Sequence, residues 1–105
     1  MEHTSPLTVQ VEEKRVDLNI AIHPNEGSDL KLFTLEHHFT FYAGSSLDNF
    51  KSGSGQLGKG TLSLLNDCPP GVLQVSEAMA SKLAWSEKVM LILEDDKIFL
   101  TYTEI

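Results

Sequence analysis

Lys88-Val-Met-Leu-Ile-Leu-Glu-Asp-Asp-Lys-Ile-Phe-Leu-Thr-Tyr-Thr103 is the stretch whose reading decides the fold. Val89, Leu91 and Leu93 alternate with Met90 and Ile92, the period of two that marks a β-strand. Glu94-Asp95-Asp96-Lys97 reads as a turn, and Ile98–Thr103 as the returning strand. Ile98 and Leu100 alternate with Phe99, so both faces of the hairpin are apolar. A hairpin with one face in water carries polar residues on that face. Two readings stay open: a covered, central position in the fold, or a subunit interface.

Working back from this hairpin, Ser76 is a good helix cap and Glu77 places a negative charge in a first turn, where it is favoured. Met79, Ala80, Leu83 and Ala84 then fall on one stripe, which predicts a helix near 76–85. Val72, Leu73 and Val75 form a brief strand before it, and Asn66-Asp-Cys-Pro-Pro-Gly71 breaks the chain ahead of that. Thr61–Leu65 is a short run of β type.

In the order strand, helix, hairpin, residues 71–100 resemble the AbrB-type swapped-hairpin domain of bacterial regulators and antitoxins. Gly71, Val75, Met79, Leu83, Val89, Leu91, Lys97 and Ile98 stand in matching places. The resemblance implies two chains interlocking their hairpins and a basic surface that grips DNA. Ser76 stands where that family has proline and Ala84 where it has glycine. Val72–Met79 carries no basic residue. The dimerisation is therefore better supported than the DNA contact.

Residues 44–60 hold five of the seven glycines and read as a mobile surface loop. One short turn is expected around Leu47–Phe50, capped by Ser45 or Ser46. Gly53, Gly58 and Lys59 come close to a phosphate-binding loop, but Gly60 stands where Ser or Thr should meet magnesium. Pro69-Pro70 follows too soon for the helix such a loop requires. Further towards the N-terminus, residues 7–12, 16–22, 30–34 and 37–43 alternate or begin to alternate. Glu13-Lys14 and His23–Asp29 between them are turn chemistry. The first 43 residues thus read as a β-meander.

Composition bounds the function. Fifteen acidic residues against eight basic ones give a net charge of −7, and Arg15 is the single arginine. Scattered lysines and a negative field disfavour nucleic acid and anionic membranes. No apolar run approaches a membrane span, and Met1–Pro6 does not read as a signal peptide, so cytoplasm is the expected compartment. A lone cysteine, Cys68, excludes an internal disulfide. His37 and His38 are adjacent, so in a strand they face opposite ways and do not share a metal. Cys68 reads as a small packing residue rather than a nucleophile. The carboxylate pairs Glu12-Glu13 and Glu94-Asp95 sit in turns, where water screens them.

These observations predict an α+β domain, mainly antiparallel sheet (a meander plus the C-terminal hairpin) with one short helix near 76–85. Residues 1–105 form a single domain: a β-rich part (7–43), a glycine-rich loop (44–60) and a strand–helix–hairpin (61–105). No catalytic, cofactor-binding or metal residues are assigned, and no cofactor is expected. The leading functional expectation is a small acidic, non-enzymatic protein–protein binding module, regulatory or inhibitory. Its expected anchors are Trp85, Met90, Ile92, Phe99 and Tyr102. A homodimer through the C-terminal hairpin is a further expectation. Two alternatives are an AbrB-like DNA-binding regulator or antitoxin, and a small enzyme or ligand-binding subunit using the 44–60 loop.

Overall fold

The computed structural model describes residues 2–15, 18–44 and 55–102. Their elements are β1 (Glu2–His3), β2 (Leu7–Val11), β3 (Asn19–Ile22), α1 (Pro24–Asp29), β4 (Glu36–Gly44), β5 (Gln56–Leu64), β6 (Val72–Val75), α2 (Glu77–Lys82), β7 (Lys88–Glu94) and β8 (Lys97–Tyr102). β2 does not turn back on β3. It lies parallel to β6, with Val9 opposite Leu73, while β3 lies parallel to β5, with Ile20 opposite Leu62. β4 likewise runs parallel to β8. Antiparallel pairing joins β7 to β2, β3 to β6, β4 to β5 and β7 to β8. The ladder runs β7-β2-β6-β3-β5-β4-β8 and returns to β7, a closed seven-stranded mixed barrel.

This corrects the expected antiparallel meander and the single-helix α+β fold. Alternation marks a strand without naming its neighbour, and closure leaves no ring strand with an unpaired edge. The expected hairpin is present as the antiparallel pair β7 and β8, with Leu91 opposite Leu100. Val89, Leu91, Ile98 and Leu100 point into the main core, together with Leu7, Ile20, Phe41, Leu62 and Leu73. On the opposite face Ile92 and Phe99 join Tyr42 in a second buried cluster, with Met90 packed against it.

Two further expectations change. The 23–29 turn is helix α1: the His23 Nδ1 accepts a hydrogen bond from the Asn25 N–H at 3.0 Å, and Pro24 opens the first turn, where its missing N–H costs nothing. The 44–60 stretch is strand from Gln56 onwards. Gly58 and Lys59 lie opposite Phe41 and Thr40 in the ladder, not at a helix N-terminus. Gly60 is required there by close approach. A Cβ at that position would stand 2.3 Å from the Leu18 carbonyl oxygen and 2.8 Å from the Phe41 ring. Gly53 and the turn expected at Leu47–Phe50 lie outside the described residues.

The barrel is built from one unit used twice. The shift in numbering that takes Thr8 to Thr61 matches the described residues 7–15 and 18–32 with 60–68 and 71–85 in a series of backbone hydrogen bonds. Thr8 N–H donates to the Gly71 carbonyl, and Thr61 N–H to the Leu18 carbonyl. Glu12 N–H donates to Val75 and Leu65 N–H to Ile22; Arg15 N–H donates to Glu12 and Cys68 N–H to Leu65. The β2–β6 pairing maps onto the β5–β3 pairing residue by residue, and the Ala21–Gln74 pair maps onto itself. The helices end alike. Leu32 N–H reaches back to the Gly27 carbonyl and Trp85 N–H to the Ala80 carbonyl, both at 2.9 Å. Lys31 (φ 62°) and Ala84 (φ 56°) take the left-handed conformation between helix and return bond. This is the Schellman closure, with neither half using the glycine that usually signals it.

Candidate functional site

Both helix exits deliver apolar side chains to the surface. The described residues with exposed large hydrophobic side chains are Val11 (43%), Phe33 (76%), Leu35 (67%) and Trp85 (59%). After α1 the chain runs through Leu32 and Phe33 into β4. A surface groove of about 250 Å³ there is lined by Pro24, Leu32, Phe33, Thr34, Leu35 and Leu64. The segment is anchored at both ends. The Schellman bond holds Leu32, and the Leu35 carbonyl accepts the Leu64 N–H at 2.8 Å. The Thr34 hydroxyl shares a 2.9 Å hydrogen bond with the His37 Nε2, and the His37 ring stacks on Phe39 with centroids 6.0 Å apart. Gly27 lets Leu64 close in beneath: a Cβ on Gly27 would meet a Leu64 methyl at 2.6 Å.

The internal repeat relates the other two exposed residues to the groove, although their counterparts differ in exposure, Leu64 being buried and Leu32 half-buried. The shift that takes Leu32 to Trp85 also takes Val11 to Leu64. The groove positions Leu32 and Leu64 therefore correspond, in the other half, to Trp85 and Val11. All four exposed residues fall on the groove or on counterparts of groove positions.

Leu32 is also shared with a second hollow, of about 460 Å³. Leu30, Leu32 and Leu93 supply its apolar lining; Glu2, Lys31, Glu94 and Asp95 supply its charge. The last two lie at the β7–β8 turn, where Asp95 has φ 55°, a conformation aspartate tolerates.

Of the residues expected to face a partner, Trp85 is exposed and Met90 and Tyr102 are half-buried. Ile92 and Phe99 are buried within the single chain, at 6% and 0% exposure. The hairpin anchors are thus split between surface and interior, and they do not form one exposed face. Phe33 and Leu35 were not singled out by the sequence reading, which took Leu30–Thr34 for the start of a strand.

The histidines and the cysteine considered for chemistry make contacts within the chain. Besides His23 and His37, His3 Nδ1 lies 3.0 Å from the Thr4 carbonyl oxygen. His38 lies 3.4 Å from Glu36 and 3.2 Å from the Thr61 hydroxyl. Among the described residues no three His, Cys, Asp or Glu side chains gather as a metal set. Cys68 is buried, its Sγ 3.5 Å from the Val72 carbonyl oxygen and 3.7 Å from that of Ala21. Burial pushes its pKa up, the Glu26 carboxylate adds to the rise, and the Arg15 guanidinium opposes it. A thiol held protonated is a poor nucleophile. Among the described residues no helix is long and apolar enough to cross a membrane. Searches against protein-family models, curated proteins and solved structures found no match to this chain.

Proposed function

We propose that this protein is a small acidic protein-binding module, regulatory or inhibitory, whose contact surface is the groove of Phe33 and Leu35. One observation carries this reading. Two large apolar side chains, at 76% and 67% exposure, line one groove on a segment pinned at both ends. Exposed single hydrophobics are ordinary, but a cluster lining a groove marks a contact surface. A preordered segment also loses little conformational entropy on binding. Aromatic residues in such positions are favoured anchors.

Affinity capture from the native host tests it, comparing the wild type with Phe33→Ser/Leu35→Ser. The double variant removes surface apolar groups only, so its melting temperature should stay at or above the wild-type value. The expected result is a stoichiometric protein retained by the wild type and lost by the variant. Equal retention by both would move the contact elsewhere on the barrel.

A further inference from the structure

We infer that the segment bound in this groove is cationic beside its apolar anchor, so that a Lys or Arg side chain enters the hollow across Leu32. The inference rests on the groove being the binding surface and names the partner's chemistry there. The hollow pairs an apolar lining of Leu30, Leu32 and Leu93 with three carboxylates, Glu2, Glu94 and Asp95, against one ammonium, Lys31. That combination suits a long basic side chain, whose methylene stem packs on leucine while its head meets carboxylate. Among the described residues no Lys or Arg nitrogen lies within salt-bridge distance of a carboxylate, so no salt bridge within the described chain neutralises those three carboxylates. The net charge of −7 adds a field that draws a basic segment in and repels a second copy of this chain.

Selection of random phage-displayed dodecapeptides on the immobilised full chain tests the inference. Recovered peptides are then synthesised and titrated into the wild type, Glu94→Lys/Asp95→Lys and Phe33→Ser/Leu35→Ser. The expected peptides carry an apolar residue with Lys or Arg close by in sequence. Their affinity should fall about tenfold on charge reversal and weaken with added salt. Neutral or acidic peptides, indifferent to Glu94→Lys/Asp95→Lys but lost on Phe33→Ser/Leu35→Ser, would overturn the cationic partner and leave the groove standing. Peptides bound equally by all three proteins, or no enrichment at all, would overturn the groove as well. Sedimentation of the wild type alone gives the remaining arm. A dimer dissociated by Phe33→Ser/Leu35→Ser would make a second copy the occupant and refute the inference.

Discussion

Cys68 is a buried packing residue whose surroundings have a consequence for pH. The sequence identifies it as a packing residue from its isolation alone. The structure adds the cause: a fully buried thiol among backbone carbonyls, close enough to Glu26 to feel its charge. In the unfolded chain such a thiol ionises at about pH 8.5. Above that pH the unfolded state releases a proton that the native state keeps, so stability falls as pH rises towards the raised native pKa. Below it this group contributes no slope. Urea midpoints measured upwards from about pH 7.5 should therefore decline more steeply for the wild type than for Cys68→Ala. Equal slopes would remove the burial argument. Phe33 and Leu35 are the opposite case. They share the alternation of Phe39 and Phe41, but only the latter two are buried, because β4 begins at Glu36 and the exposure of the residues before it depends on the path of the chain.

At the scale of elements, most strands were legible because alternation is local. The 7–12, 37–43, 72–75 and 88–93 runs appear within a few residues of their expected bounds. α2 was legible from Ser76, whose hydroxyl accepts the Met79 N–H at 3.0 Å. α1 was not, because Pro24, Asn25 and Gly27 are turn formers and its cap is a histidine. The β character of Gln56–Gly60 was hidden by two glycines, Gly60, which the sheet requires for close approach, and Gly58, which has φ 128°. Helix ends were missed for a related reason. Lys31 and Ala84 occupy left-handed positions where glycine would have announced a stop. Ala84 is exposed, so Ala84→Gly relieves its backbone without opening a cavity. The expected gain is about 0.5–1 kcal/mol, seen as a rise of several degrees in melting temperature. An unchanged or lower melting temperature would contradict the assigned helix exit.

For the whole molecule, what the sequence concealed was the pairing. Which strand lies beside which depends on contacts between residues far apart, and a meander and a closed barrel share the same alternation. The internal repeat was equally hidden. Between residues 7–32 and 60–85 only Thr8/Thr61, Ser28/Ser81 and Leu30/Leu83 are identical, although the backbone hydrogen bonds coincide. Backbone pairing tolerates many side chains provided that the inward positions stay apolar, as Ile20/Leu73 and Ile22/Val75 do. Phe33 and Leu35 share their groove with Leu32 and Leu64, the repeat counterparts of Trp85 and Val11, whereas Ile92 and Phe99 of the hairpin are already buried. Amide hydrogen exchange of the protein free and bound to its captured partner is the most direct test. The groove reading predicts new protection concentrated at residues 30–36 and at the Glu94–Asp95 turn, with little change along Met90–Ile92 and Phe99–Tyr102. Protection confined to the strands of the hairpin, with 30–36 exchanging as in the free protein, would contradict it.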